Sequence, residues 1–282
     1  MKSFTNSILL FILPICVLES CKQKETAEIN NDLGKYYKQY MVEGSFVLFD
    51  KNADKYLLYN EKQFKEAFIP ASTFKICNSL IGLETGIITD EDFVIPWDSV
   101  SRTPAWDKDH TLKTAFQTSA VWYYQELARR VGGQKMKHWL DKTGFGNSDT
   151  SGGIDRFWLT GGLRITPEQQ INFLKRLQDN ELPFSDRSVR IVKEIMIQKQ
   201  TTSFTLRAKT GWSSQSGMEI GWYIGYIEAR NNVYYFSNCV QLSSDLMNQK
   251  DRAENFIRSR KDIAVRILND LDITEEEIIL TD

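Results

Sequence analysis

Phe204-Thr205-Leu206-Arg207-Ala208-Lys209-Thr210-Gly211-Trp212-Ser213 is the stretch on which the fold turns. Its first five residues alternate apolar and polar side chains, the period of a half-buried strand. Two β patterns follow, Ile220–Glu228 and Val233–Val240. Two more lie near the other end, Gly44–Phe49 and Lys55–Asn60, with a turn at Asn52-Ala53-Asp54. Between these ends the pattern is helical. The spacing predicts helices over Pro70–Leu83, Ser119–Val131, Gln134–Lys142, Pro167–Gln178 and Asp186–Ile197. Pro70 suits a first turn and Gly86 a C-terminal cap. Residues 22–40 are polar and then helix-like, and Asp251–Leu271 closes the chain as a long helix. Strands at both ends with helices between them imply an α+β architecture. One sheet domain (22–85 and 198–282), flanked by terminal helices, would carry an inserted all-helical domain (86–197).

The 282 residues hold 35 Lys+Arg against 37 Asp+Glu, and 41% are hydrophobic. This is globular composition, and the near-zero balance predicts no nucleic-acid partner. Cys16, Cys21, Cys77 and Cys239 lack the paired spacing of a zinc site, and two histidines add little, so no metal is expected. The run Ile8–Leu18 is short for a bilayer span and contains Pro14, so residues 1–21 read as an export signal. The protein is expected outside the cytoplasm, in the periplasm. Leu18-Glu19-Ser20-Cys21 is similar to a bacterial lipobox; the expectations are a lipid anchor at Cys21 or cleavage nearby with Cys21 incidental. Cys77 and Cys239 read as core residues.

Ser72-Thr73-Phe74-Lys75 opens the first strong helix, and its spacing of three places Ser72 and Lys75 a turn apart on one face. A serine hydroxyl is a weak nucleophile that needs an adjacent base, which the lysine can supply. Alone the tetrapeptide is common, and Ser72 could equally be a helix cap. His110 and His138 are the other bases in reach of a serine mechanism, but the sequence has no Gly-x-Ser-x-Gly elbow, so no Ser-His-Asp triad is expected.

Further elements follow in fixed order: Ser119-Ala120-Val121, Phe145-Gly146-Asn147 and Lys209-Thr210-Gly211. With Trp158-Leu159, Gly162-Leu163, Ile220-Gly221-Trp222 and Arg260 ahead of Ile263-Ala264, the chain resembles the serine penicillin-recognising superfamily, most closely the class D β-lactamases. A second Lys-Thr-Gly, Lys142-Thr143-Gly144, ends a predicted helix and is read as a cap, whereas Lys209 follows an alternating strand, as a cleft edge should.

The resemblance implies a β-lactamase/transpeptidase-like fold, with the four elements lining one cleft, and hydrolysis of penicillin-type β-lactams, conferring resistance. Ser72 would be the nucleophile, Lys75 the N-carboxylated general base, and Ser119 the proton carrier to the leaving nitrogen. Val121, Lys209, Thr210, Gly211, Trp212 and Arg260 would bind substrate, and Trp158 would support the carbamate. Phe145 stands where the family usually has Tyr and has no part in the proton chemistry. The resemblance implies no diffusible cofactor, only CO₂ held on Lys75. Apolar surroundings from Phe74, Val121, Trp158 and Leu159 would lower the Lys75 pKa from its usual ~10.4. Three rivals are weighed: a β-lactam sensor domain, which would carry membrane spans and a protease domain ahead of it; a cell-wall transpeptidase, which would carry more domains; and a non-enzymatic lipoprotein that only binds peptidoglycan, which would need none of Ser72, Lys75 and Ser119.

Overall fold

The computed structural model describes Met1 and residues 26–279. Apart from Met1, the expected signal, with Cys21, lies outside these. In chain order the elements are β1 (Thr26–Ile29), α1 (Gly34–Tyr40), β2 (Glu43–Asp50), β3 (Lys55–Tyr59), α2 (Glu61–Phe64), α3 (Lys75–Glu84), β4 (Val94–Ile95), β5 (His110–Thr111), α4 (Leu112–Gln117), α5 (Val121–Val131), α6 (Gly133–Thr143), α7 (Pro167–Gln178), α8 (Asp186–Ile195), β6 (Ile197–Gln200), β7 (Phe204–Gln215), β8 (Met218–Ala229), β9 (Asn232–Ser243) and α9 (Lys250–Asp270). Seven strands form one sheet in the order β1-β3-β2-β9-β8-β7-β6. All neighbours are antiparallel except the parallel pair β1–β3.

The sheet brings the two ends of the chain together because β2 pairs with β9, Phe46 opposite Asn238. The three long strands are joined by two-residue turns with positive φ at both central residues: Ser216 (52°) and Gly217 (77°), then Arg230 (52°) and Asn231 (57°). Such turns match the right-handed twist of the strands and let each hairpin run twelve residues without a bulge. One face is covered by α1 and α9, where Tyr37, Phe46, Tyr223, Phe236, Phe256 and Ile263 form an apolar layer. The other face packs into the larger core with α3, α5 and α7. With both faces covered, β8 is buried almost throughout.

Several expectations shift. Residues 22–40 contain β1 ahead of α1; a strand exposed at every position carries no buried face for alternation to reveal. The helix expected over 186–197 stops at Ile195, and Ile197–Gln200 pairs with β7 instead. The inserted stretch is not wholly helical, since β4 and β5 pair there. β7 continues through Lys209 to Gln215 rather than ending before it. Residues Ala71–Phe74 form a 3-10 turn ahead of α3, with Pro70 as its cap in place of a first-turn residue. The helix expected from Ser119 begins at Val121. His110 is buried against Trp122 (5.9 Å between rings), and His138 lies beside Trp139 on α6.

Candidate active site

The segment before the nucleophile is held from three sides. Phe68 exchanges backbone hydrogen bonds with Ile165 (3.0 and 2.9 Å). Ile69 donates its N–H to Gln215 Oε1 (2.8 Å), and its carbonyl accepts from the Trp222 indole (2.9 Å). Ala71, at φ 49°, donates to the Trp158 carbonyl (3.0 Å). A non-glycine residue in the left-handed region costs on the order of 1 kcal/mol and persists only where its surroundings over-determine it. Ser119, at φ 56°, is in the same state just before α5. There the left-handed residue closes α4, with Ser119 N–H bonded to the Phe116 carbonyl and Ala120 N–H to that of Ala115, which is why α5 starts only at Val121.

These segments set four side chains in a row. Lys75 Nζ lies 2.5 Å from Ser72 Oγ and 3.3 Å from Ser119 Oγ, and Lys209 Nζ lies 3.0 Å from Ser119 Oγ. Lys75 is wholly buried. Burial, and then the charge of Lys209, pulls its pKa well below the usual lysine value, so the neutral amine can accept the Ser72 proton. Lys209 is itself lowered to about 7 by burial and by the charges of Arg260 and Lys261. At that value it is only partly charged at neutral pH. Arg260 is lowered to about 10 by burial and stays protonated.

A cavity of about 280 Å³ opens onto this row, lined by Ser72, Trp106, Ser119, Val121, Thr210, Gly211, Trp212 and Arg260. Its lining is basic and neutral, with no carboxylate. Gly211 has a steric reason: a Cβ there would lie 2.9 Å from the Pro70 carbonyl and 3.1 Å from Thr73 Cγ2, so only glycine lets β7 pass this close to the nucleophile turn. The Arg260 guanidinium lies 5.4 Å from the centre of the Trp212 ring.

Trp158 is fully buried and packs against Phe74 with the rings tilted by 36° (5.3 Å between centres), one residue from Lys75. Its indole N–H has no partner. The Phe145-Gly146-Asn147 element does not line the cleft as expected. Phe145 is buried edge-on against Phe74 and Phe173, and Asn147 braces the loop ahead of α7, accepting from Arg164 N–H (2.9 Å) and donating to the Gly162 carbonyl (3.0 Å). The element therefore acts from behind, through Phe74.

Three contributors escaped the sequence reading. The Tyr124 ring faces Lys75 Nζ at 5.3 Å, and its hydroxyl bonds to Ser79, which donates to the Lys75 carbonyl. Gln215 tethers Ile69, as above. Ser213 donates to the Leu159 carbonyl (2.5 Å), tying β7 to the loop that carries Trp158. Only the position of Tyr124, just beyond Ser119-Ala120-Val121, gave a hint.

An antiparallel sheet packed on a buried Ser-x-x-Lys turn, with a lysine-bearing strand across the cleft, defines a serine acyl-transfer fold of the penicillin-recognising type. Residues 44–260 match the family model described as penicillin binding protein transpeptidase domain. The chain is 42% identical over 209 residues to beta-lactamase OXA-48 of Klebsiella pneumoniae, covering 74% of this chain and 79% of that protein. It superposes on the crystal structure of a class D beta-lactamase from Nostoc with a TM-score of 0.79 at 41% identity, covering 86% and 99% of the two chains. The chain belongs to the class D β-lactamase family. It is also similar to the C-terminal domain of the Bacillus licheniformis BlaR penicillin-receptor, with a TM-score of 0.80 at 32% identity over 89% of this chain and 98% of that domain.

Proposed function

We propose that the protein hydrolyses the β-lactam amide through an acyl-enzyme on Ser72, and so confers resistance to penicillin-type antibiotics. The observation that carries this is the contact of Ser72 Oγ with a wholly buried, charge-depressed Lys75. Ser72 attacks the lactam carbonyl as its proton passes towards Lys75. The backbone N–H groups of Ser72 and Trp212 would hold the oxyanion, an interaction whose loss typically slows such reactions by about 10²- to 10³-fold. Ser119, bonded to both lysines, delivers a proton to the ring nitrogen as the C–N bond breaks, and Lys209 can replace it. Thr210 and Arg260, which line the cleft, supply a hydroxyl and a cation for the substrate carboxylate, and Lys209, behind Ser119, joins them when protonated.

The site also suits a carbamate formed from CO₂ on Lys75. An amine kept neutral by burial can take up CO₂, and the orphaned Trp158 indole is a buried donor lacking the acceptor such an anion would provide. Lys75 would carry the group and Trp158 would help to hold it. When bound it supplies the general base for acylation and for the water that releases the product.

Stopped-flow turnover of a chromogenic β-lactam by residues 22–282, in CO₂-depleted buffer and with added bicarbonate, tests both parts. Sustained turnover rising with bicarbonate is expected. Turnover indifferent to bicarbonate would remove the carbamate. A burst of one equivalent that stops in both buffers would favour the receptor reading, which the likeness to the BlaR penicillin-receptor makes the second choice. Lys75→Ala should abolish turnover.

Export to the periplasm, with lipid on Cys21, belongs to the same reading and is supported by the apolar run Ile8–Leu18 and the sequence that follows. Among the described residues no helix is long and apolar enough to cross a membrane. Cys21→Ala should move the protein from the membrane fraction to the soluble periplasmic one.

A further inference from the structure

Trp212 is 41% exposed at the cleft rim, yet its indole N–H is committed: it donates to Glu219 Oε2 at 2.7 Å. Glu219 is 7% exposed. Its other oxygen accepts from Ser214 Oγ (2.8 Å) and Ser244 Oγ (2.7 Å). Burial pushes this carboxyl up, but the hydrogen bonds from Ser244, Trp212 and Ser214 outweigh it and hold the group below its ordinary value. All three partners are neutral donors. Burying a carboxylate with neutral partners alone forfeits hydration that an ion pair would offset, so the arrangement is a costly way to stabilise a hairpin.

What it fixes is the plane of one indole. Phe256 meets that ring edge-on at 5.7 Å, and Arg260, one helical turn further along α9, lays its guanidinium over it. The strand leaves room for the arginine stem. Gly221 pairs with Trp212 across β7–β8, and a Cβ there would lie 2.8 Å from Arg260 Cγ. A carboxylate, an indole and a guanidinium thus stand in sequence from the sheet to the cleft.

We propose that Glu219 is a positioning residue: by holding the Trp212 indole it sets the place of Arg260 and thereby the preference of the cleft for β-lactams with a free carboxylate. This rests on the β-lactam reading above. A planar group over an aromatic face gains energy only when ring and cation are mutually oriented; Arg260 Nε is tethered to the Ile257 carbonyl (3.0 Å), so what a freely turning Trp212 would release is the tilt of the outer guanidinium nitrogens over the cleft.

The test is equilibrium binding to the Ser72→Ala protein, which cannot be acylated, of one β-lactam and of its methyl ester. Adding Glu219→Ala should weaken the acid about tenfold, the scale of one misplaced charge-assisted contact, and leave the ester within about twofold. Glu219→Gln keeps a carbonyl acceptor and should fall between. Trp212→Phe keeps the ring but lacks the N–H, so it should reproduce the acid-selective loss, with no further loss in the double variant. It also carries the test if Glu219→Ala fails to fold. Equal weakening of acid and ester, or no change in either, overturns the proposal. Turnover by the unsubstituted protein tests hydrolysis separately: a protein that binds and acylates without turnover fails that reading while these affinity ratios stand.

Discussion

The chain contains Lys-Thr-Gly twice, and the two copies share no physics. Lys142-Thr143-Gly144 ends α6: Gly144 takes φ 62° as the cap with open space around its Cα, and Lys142 lies 4.6 Å over the Trp139 ring. Lys209-Thr210-Gly211 sits inside β7, beyond the reach of β6, where the strand edge faces the nucleophile turn. There the lysine is buried against Ser119, and the glycine answers a steric demand from Pro70 and Thr73. A glycine can be required for its backbone angle or for its missing Cβ, and a lysine for solubility or for chemistry. The tripeptide says neither; the element that carries it says both.

Exchanging lysines should give the largest contrast. Lys209→Ala removes the buried hydrogen-bonded amine beside Ser119, which the substrate carboxylate would recharge on binding, and kcat/KM should drop about 10²-fold, in line with the roughly 2–5 kcal/mol typical of truncating a buried charge partner. Lys142→Ala should stay within about twofold. Comparable losses in steady-state assays of the two variants would break the assignment. The glycines should separate differently. Gly211→Ala must push β7 off the nucleophile turn and should lower kcat/KM about tenfold, because slight misplacement of reacting groups is expensive. Gly144→Ala forces a side chain into the left-handed region at a cost of about 1 kcal/mol. It should lower Tm by a few degrees with kcat/KM unchanged. Activity loss in the second without loss of stability would contradict the capping role.

The same contrast shows what the letters can and cannot carry. Ser72, Lys75, Ser119 and Lys209 were legible because they are ordered motifs whose spacing survives folding, and the structure places them within hydrogen-bond reach of one another. Long strands and amphipathic helices were legible because one buried face imposes a period. Residues that act across the fold were not. Gln215 serves Ile69 from 146 positions away, and Ser213 serves Leu159 from 54, and no local pattern marks a side chain whose partner is so distant. The Ser119 segment was misread as helical because Ser119, at φ 56°, is the left-handed cap that ends α4, its N–H returning to the Phe116 carbonyl and that of Ala120 to Ala115, and without a glycine nothing in the letters marks that stop. Phe145-Gly146-Asn147 was legible as a motif and misplaced as a cleft wall, since a motif fixes neighbours along the chain and leaves open which of them face the substrate.

Acidity sharpens the difference between the copies with the smallest expected effect. Because the Lys209 amine is lowered to about 7, its charge is lost just above neutrality in the free protein. Affinity for an anionic β-lactam should fall severalfold from pH 6 to pH 8.5, and Lys209→Met should flatten the profile while Lys142→Met leaves it in place. Stability should move the other way. Unfolded, Lys209 titrates near ~10.4, so between about pH 7 and ~10.4 the unfolded chain binds a proton that the folded one has released. Stability then rises with pH across that window, and the cost of burying the charge is fully present below it. Lys75, lowered in the same direction, adds to the slope. Comparing Tm at pH 6.5 and 9.5 for the unsubstituted protein and Lys209→Met isolates the term: the unsubstituted protein should gain more. An equal gain in both would mean that Lys209 stays charged in the fold, and the cleft would then hold its substrate carboxylate with a permanent cation rather than one that the carboxylate itself recharges on binding.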